Sequence, residues 1–248
     1  MTDIEKLGKW IEESNRIVFF GGAGVSTESG VPDFRSKDGL YNQHDVRFED
    51  YTPEYLLSHS CLVLHPDVFF EFYRQKMDAR NVEPNAAHRF LAELEERGKL
   101  DAVVTQNIDG LHQKAGSRKV YEIHGSTLRN YCMKCGKSYG PDFIYDSPQP
   151  IPRCSCGGTV RCDVTLYEES LPEDAVRGAI NAISRADMLI IGGTSLSVYP
   201  AASYIHYFNG KHMVVINRDP LQLRLDPEND LEINDSIGKV FSQLQSMR

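Results

Sequence analysis

Four short apolar runs, each ending in glycine or polar residues, limit the possible folds of this chain most strongly. They are rich in β-branched residues, as strands buried on both faces of a parallel sheet are. Each is too short for a typical helix. The runs are RIVFF (16–20), DAVVTQN (101–107), ADMLIIGG (186–193) and HMVVIN (212–217).

Segments with helical periodicity lie between these runs. One apolar face contains Leu7 and Trp10, and another contains Phe90 and Leu94 and ends before Gly98, a typical helix terminator. Alternating strands and helices predict an α/β fold, a Rossmann-like parallel sheet with helices on both faces. Ligands of such sheets bind beyond the carboxyl ends of the strands.

Two segments interrupt the alternation and predict a smaller lobe. Residues 40–80 are rich in aromatic residues and predict a helical insertion, whereas residues 128–160 hold four cysteines and several prolines and predict a zinc-binding module. The Rossmann-like domain is then expected over 1–39, 81–127 and 161–248.

The charge balance limits the possible partners. The 248 residues include 35 acidic and 27 basic ones, a formal charge of −8, which argues against general affinity for nucleic acid or anionic membrane. No stretch approaches the roughly 18 apolar residues of a membrane span, and the polar start does not resemble a signal peptide. We therefore expect a cytoplasmic monomer.

The cysteine spacing predicts a metal site. A Cys-x2-Cys and a Cys-x-Cys pair are separated by 18 residues, and a glycine follows each pair, which suits tetrahedral zinc. Cys162 is an alternative to Cys156 as the fourth ligand, and Cys61 is expected to be a buried apolar residue. The predicted ligands are Cys132, Cys135, Cys154 and Cys156.

The loop after the first apolar run, GGAGVSTESGVPDFRS (21–36), predicts a diphosphate site. Gly22, Ala23 and Gly24 allow close approach of the backbone to a pyrophosphate. Thr27 stands where a dinucleotide fingerprint has its third glycine, and no strand carrying an acidic residue follows at the required distance. Use of NAD for ordinary hydride transfer is therefore not expected.

Polar side chains follow the other apolar runs, and His124 lies in a short loop before a glycine. Because the carboxyl ends of parallel strands share one edge of the sheet, we expect these side chains to converge. A histidine there is a candidate general base. The polar residues are Gln106, Asn107, Asp109, Thr194, Ser195, Asn217 and Arg218.

The motifs GAGVSTESGVPDFRS, TQNIDGLHQKAG, HGS, the four-cysteine module, GTSLSVYPAA and INRD together resemble the sirtuins, NAD-dependent protein-lysine deacylases, and the bacterial deacetylase branch most of all. The resemblance covers nearly the whole chain. It implies a structural zinc ion, since four thiolates leave no open position for a catalytic water. It also implies that NAD is consumed as a co-substrate.

The resemblance further implies residue roles. His124 would be the general base, with Asn107 and Asp109 as further catalytic residues, and Phe34 would shield the nicotinamide ribose from water. A substrate peptide would lie between two segments of the chain, with contacts to Leu166, Val198 and Tyr73. The cofactor would be bound by Gly22, Ala23, Gly24, Thr27, Asp33, Phe34, Arg35, Gln106, Asn107, Ile108, Asp109, Gly193, Thr194, Ser195, Asn217, Arg218 and Ile237.

The implied reaction transfers the acetyl group of an acetyl-lysine in a protein or peptide to ADP-ribose, releasing nicotinamide, deacetylated lysine and 2′-O-acetyl-ADP-ribose. Alternatives are a mono-ADP-ribosyltransferase, a deacylase for longer or acidic acyl groups, and a noncatalytic NAD- or zinc-dependent binding module.

Two positions bear on the substrate. The desuccinylase branch carries Tyr-x-x-Arg, whereas here Lys76 follows Tyr73 at the arginine position and cannot offer a bidentate fork to a carboxylate. The family has Gly-Glu where Glu168 and Glu169 stand, a change that favours basic peptides.

Overall fold

A six-stranded parallel sheet forms the centre of the larger part of the chain, in a computed structural model that describes residues 1–36, 39–43 and 45–247. Residues 37, 38, 44 and 248, which the predicted domain ranges include, lie outside the described residues. In chain order the strands are β1 (Ile17–Gly21), β2 (Leu100–Thr105), β3 (Val120–Glu122), β4 (Gly125–Cys132), β5 (Ser138–Tyr139), β6 (Val160–Val164), β7 (Met188–Gly192), β8 (His212–Ile216) and β9 (Asp230–Ile233).

The sheet has the strand order β3-β2-β1-β7-β8-β9, so the direction of winding reverses between β1 and β7. Their last residues, Gly21 and Gly192, are paired across the two strands. The four predicted runs supply β1, β2, β7 and β8, whereas β3 and β9 extend the two edges. The predicted parallel sheet is confirmed, and its topological switch point lies between β1 and β7.

Helices and short 3₁₀ turns connect the strands. The α-helices of the described part are α1 (Asp3–Glu13), α2 (Pro53–Leu56), α3 (His59–Leu64), α4 (Pro66–Lys76), α5 (Ala86–Glu96), α6 (Leu111–Lys114), α7 (Asp142–Tyr145), α8 (Glu173–Arg185) and α9 (Ile237–Ser246).

Alternate residues of β1 explain why both faces of the sheet are covered. Ile17 and Phe19 belong to a core shared with α1, α5 and α9, whereas Val18 and Phe20 belong to a second core shared with α8 and the 3₁₀ segment Ala201–Tyr207. All four are fully buried. The prediction of helices on both faces is therefore confirmed.

Local signals explain where the two predicted helices begin and end. Thr2 and Glu5 form a capping box at the start of α1, and α5 begins at the N-cap Asn85, whose side chain accepts a hydrogen bond from the backbone N–H of Ala87. Beyond α5, Gly98 has a φ of +71°, a left-handed conformation that suits glycine at a helix end.

The second sheet is antiparallel, with the order β5-β4-β6, and it packs with α2, α3, α4 and α7. This core includes the buried rings of Phe69, Phe70 and Tyr73. Residues 161–164 were assigned by sequence to the larger domain, but as part of β6 they pair with β4. We therefore propose that the small lobe comprises 40–80 and 125–164.

No helix among the described residues is long and apolar enough to cross a bilayer.

Candidate active site and metal centre

A cavity of about 1670 Å³ opens at the carboxyl ends of β1 and β7 and extends between the two sheets. Five stretches contribute most of its wall: the loop after β1, residues 106–108 after β2, the loop after β7, the loop after β8, and residues 164–171 at and beyond the end of β6. The volume exceeds the roughly 300–1,000 Å³ of a typical small-molecule pocket, so it has room for two ligands side by side.

The backbones of two loops touch at the switch point because neither carries a side chain there. The N–H of Gly24 donates to the carbonyl of Gly193 over 2.8 Å. A Cβ atom on Gly24 would lie 2.8 Å from that carbonyl oxygen, and Gly193 has a φ of +58°. The bare backbone of Gly22 and Gly24 on the cavity wall suits the close approach of an NAD diphosphate.

The cavity collects the predicted ligand-binding and catalytic residues with one exception. Asp109 is absent from the wall and lies behind it. The residues on the wall are Gly22, Ala23, Gly24, Thr27, Asp33, Phe34, Arg35, Tyr73, Gln106, Asn107, Ile108, His124, Leu166, Gly193, Thr194, Ser195, Val198, Asn217, Arg218 and Ile237.

Asp109 is connected to the cavity wall through Ser26, a buried residue that no sequence motif predicts as part of the site. The Ser26 hydroxyl donates to Asp109 Oδ2 over 2.7 Å, and Asn107 Nδ2 donates to Ser26 Oγ over 3.1 Å. Burial raises the pKa of Asp109, against the opposing effect of the bonds from Ser26 and the Leu111 N–H. Ser26 thus links Asn107 to Asp109.

His124 is fixed by the backbone at the end of β2. Its Nδ1 lies 3.0 Å from the carbonyl oxygen of Gln106, which can only accept, so in the neutral ring Nδ1 carries the proton and Nε2 the lone pair. Burial lowers the pKa of His124 below its ordinary 6.5, Arg35 lowers it further, and the bond to Gln106 opposes both. The Gln106 side chain donates to Thr194 Oγ1 over 3.0 Å.

The wall also contains the three predicted peptide or acyl contacts. Leu166 is buried, Val198 is half-buried, and Tyr73 is fully buried against Phe69 and Tyr145. By hydrogen-bond geometry, the Tyr73 hydroxyl has no partner among the described residues.

Four cysteines of the small lobe form a compact sulfur cluster. The Sγ atoms of Cys132, Cys135, Cys154 and Cys156 all lie within 4.8 Å of one another, and four thiolates are a donor set that zinc prefers. Cys162 lies outside this group and is fully buried in β6. The residues present fit a structural zinc ion, and we propose Cys156 as the fourth ligand.

The sheet is doubly wound with a glycine loop at its switch point, a half-buried histidine lies on the same cavity, and a four-cysteine module is present. Together these features define a nucleotide-binding enzyme with a structural metal site. The Sir2 family model matches residues 22–200. The curated relatives include NAD-dependent protein deacetylases of Clostridium perfringens, 57% identical over 97% of this chain and 98% of the relative, and of Cutibacterium acnes, 55% identical over 97% of both chains. The chain belongs to the Sir2 family.

Solved structures agree with this assignment. A Sir2 variant with deacetylated p53 peptide and 3′-O-acetyl ADP ribose has a TM-score of 0.88 at 33% identity, covering 99% of this chain and 98% of that one. A complex of Sir2 with p53 peptide and NAD⁺ has a TM-score of 0.83 at 35% identity, covering 100% and 98%. The family and the fold class predicted from the sequence are confirmed.

Serine substitutions decide between Cys156 and Cys162 as the metal ligand. We expect Cys156→Ser to lower the zinc content of the purified protein well below one ion per chain, because it removes a sulfur from the cluster. Cys162→Ser should keep about one ion per chain, because the Cys162 side chain lies outside the cluster. Elemental analysis of both variants beside Cys61→Ser, a further buried thiol, measures this. Zinc loss in Cys162→Ser alone would reverse the assignment.

Proposed function

We propose that the protein is an NAD-dependent protein-lysine deacetylase that transfers the acetyl group of acetyl-lysine to ADP-ribose and releases nicotinamide, deacetylated lysine and 2′-O-acetyl-ADP-ribose. The observation that carries this proposal is the single cavity on which the glycine loop, Gln106 and His124 meet the small lobe. The names of the curated relatives and the peptide complexes among the related structures support it.

Bound NAD supplies an anomeric carbon from which nicotinamide can leave and to which the acyl oxygen can bind. The backbone of Gly22, Ala23 and Gly24 holds the diphosphate, while Thr194, Ser195, Asn217, Arg218 and Ile237 hold the adenosine half. Phe34 and Arg35 cover the nicotinamide ribose and exclude water, which preserves the activated sugar for the acyl group. Thr27, Asp33, Gly193 and Ile108 complete the binding surface.

His124 acts as the general base on a ribose hydroxyl. Burial keeps the ring neutral near pH 7, and the carbonyl of Gln106 holds the proton on Nδ1, so Nε2 is the atom that accepts the hydroxyl proton.

Asn107 and Asp109 act as a pair through Ser26. The hydrogen bonds from Asn107 to Ser26 and from Ser26 to Asp109 hold Asn107 at the cavity wall, where it positions the ribose or a water. Asp109 lies behind the wall and contributes by holding Ser26 and the first turn of α6. Its role is therefore positioning.

The peptide lies between residues 164–171 and 195–202, both of which contribute to the cavity wall. An extended peptide between two chain segments can pair with them through its backbone, which gives affinity independent of sequence. Leu166 and Val198 contact its side chains. The partner is an acetylated lysine in a protein or peptide.

The acyl group is uncharged. Lys76, at the position where an arginine would grip an acidic chain, is absent from the wall and donates instead to Gln43 Oε1 over 3.0 Å. Tyr73 contributes a buried ring to the wall, a surface that favours an apolar acyl chain. The cellular setting that we propose is the cytoplasm, because all six cysteines are unpaired.

The first test incubates the purified protein with acetyl-lysine and succinyl-lysine forms of one peptide, with and without NAD. Mass spectrometry follows peptide, nicotinamide and acyl-ADP-ribose. We expect loss of the acetyl group only with NAD, in step with nicotinamide release, and slower desuccinylation. Faster desuccinylation contradicts the acyl assignment. Nicotinamide release with ADP-ribose transferred to protein indicates the mono-ADP-ribosyltransferase, and no NAD turnover indicates a binding module.

Removal of the proposed base tests the role of His124. We expect His124→Ala to lower kcat by roughly 10²- to 10⁴-fold, the range of general base catalysis, because the cavity then lacks the Nε2 acceptor. The control is His65→Ala, which removes an exposed histidine that does not contribute to the cavity wall. Full activity in the His124 variant would overturn this mechanism.

The pH dependence of kcat/KM reports the titration of the base in the free enzyme. The neutral form of His124 is active and its pKa lies below 6.5, so activity should fall only as the pH drops below 6.5. The variant Ser26→Ala distinguishes His124 from Asp109 as the titrating group, because it removes a hydrogen bond that lowers the pKa of Asp109. If the titrating group were Asp109, the acid limb of the kcat/KM profile would move to higher pH in this variant. If the group is His124, the acid limb keeps its position.

A further inference from the structure

The hydroxyl of Tyr167, in the segment that follows β6, contacts the loop after β1. It lies 2.9 Å from the Tyr41 hydroxyl and accepts from Arg35 Nη2 over 3.1 Å. The Arg35 guanidinium also lies over the Tyr41 ring, 5.5 Å from its centroid. We call residues 22–36 and 39–41 the cofactor loop. Two of its side chains therefore meet at one hydroxyl of the segment that follows β6.

Tyr41 also contacts Phe34, through both its backbone and its ring. The backbone N–H of Tyr41 donates to the carbonyl of Phe34 over 2.9 Å, and the two rings meet edge to face at 5.5 Å. Burial, and then the neighbouring Tyr167, raise the pKa of Tyr41, so its phenol stays neutral over the working pH range. Tyr41 therefore keeps the proton of its hydroxyl in this contact.

The backbone of Tyr167 is held by the small lobe. Its N–H donates to the carbonyl of Leu57 over 3.0 Å, and its carbonyl accepts from the N–H of His59 over 3.1 Å. These bonds form a parallel bridge to the helical insertion between α2 and α3. The position of the hydroxyl is therefore set from outside the cofactor loop.

The two residues after Tyr167 hold the same segment in place. Glu168 has a φ of +75°, a conformation rare for residues other than glycine, and its carboxylate accepts from both the N–H (2.9 Å) and the hydroxyl (2.7 Å) of Ser60. Burial alone would raise the pKa of Glu169. Its ion pair with the buried Arg161 and the hydrogen bond from the N–H of Leu166 outweigh burial and lower this pKa to about 2. The segment thus forms a rigid support.

We propose that Tyr167 is a positioning residue that preorganises the cofactor loop for NAD through its hydroxyl. The inference rests on the proposed function, because it takes the cofactor loop as the site of the NAD ribose and diphosphate. A ligand binds more weakly when only a fraction of the protein holds the competent conformation. A rigid anchor for Arg35 and Tyr41 raises that fraction before NAD arrives.

The test removes single hydroxyl groups and measures each ligand separately. Calorimetry gives the Kd of ADP-ribose, which lacks nicotinamide and cannot turn over, and kinetics give the KM for NAD and for an acetyl-lysine peptide. We expect Tyr167→Phe to raise the Kd of ADP-ribose and the KM for NAD by roughly 2- to 10-fold, the value of about one net hydrogen bond. The KM for the peptide should change less.

A double-mutant cycle separates positioning from general loss of stability. Tyr41→Phe removes one of the two bonds at the hydroxyl, so the variant with both substitutions should bind ADP-ribose as Tyr167→Phe alone does. The control is Tyr145→Phe, which removes an equally short hydrogen bond from a tyrosine of the small lobe to the carbonyl of Met77. We expect its Kd for ADP-ribose to equal that of the wild type.

Three results would overturn the proposal: an unchanged Kd in Tyr167→Phe, a rise in the KM for the peptide alone, or a double variant whose effect is the product of the single effects. Failure of the proposed function gives a different result. A wild-type protein that binds ADP-ribose but does not deacetylate refutes the enzyme and leaves the positioning role measurable by calorimetry. A wild-type protein that does not bind ADP-ribose refutes both.

Discussion

The contact between the backbones of Gly24 and Gly193 is the constraint on which the active site depends. Strands β1 and β7 are neighbours in the sheet, so the loops that leave them start a few ångströms apart. These loops leave in different directions and still touch, which is possible only because both contacting residues lack a Cβ atom. A Cβ atom on Gly193 would lie 2.4 Å from the backbone nitrogen of Val25, too close for any real contact. With any larger residue at Gly24 or Gly193 the two loops would separate, and the cavity wall would no longer present exposed backbone there. The ligand-binding edge of the sheet is thus set by packing before any ligand contact.

The central strands could be predicted from the sequence because burial on both faces removes the polar alternation, and β1, β2, β7 and β8 all read as continuous apolar runs. The edge strands could not. Strand β3 has three residues and β9 has four, and both carry a glutamate, Glu122 and Glu232. An edge strand is stabilised by tertiary contacts, here in part by the ion pair of Glu122 with Arg129, which no local pattern reveals.

The candidate site was predictable to the extent that polar residues follow strands that end at the same edge, and all of these except Asp109 lie on the wall. Other wall residues, such as Tyr73 and Leu166, were predicted only through the family resemblance. The hydrogen bonds between them were not predictable. Ser26 is one of several small polar residues in its loop, and neither spacing nor composition distinguishes it from Ser29. Tyr41 and Tyr167 lie 126 residues apart, so their contact depends on tertiary packing that no local pattern indicates. Asp109 was assigned to the cofactor surface because it follows β2, yet the chain turns at Gly110, with a φ of +72°, and Asp109 lies behind the wall.

The metal module lies at the far end of the small sheet from the cavity, yet it bears on the geometry of the base. Strand β4 begins directly after His124 and ends at Cys132, while β6 begins a few residues after Cys156 and ends just before Leu166. The two strands pair from Cys132 and Val160 near the sulfur cluster to Gly125 and Val164 at the cavity. Beyond that pair the N–H of Thr165 donates to the carbonyl of His124 over 2.9 Å. A zinc ion held by the four thiolates would fix the remote ends of both strands, and their pairing then fixes the distance between His124 and the segment that carries Leu166 and Tyr167. The structural metal and the proposed base are therefore opposite ends of one small sheet, so disorder at the cysteines would reach the cavity through β4 and β6.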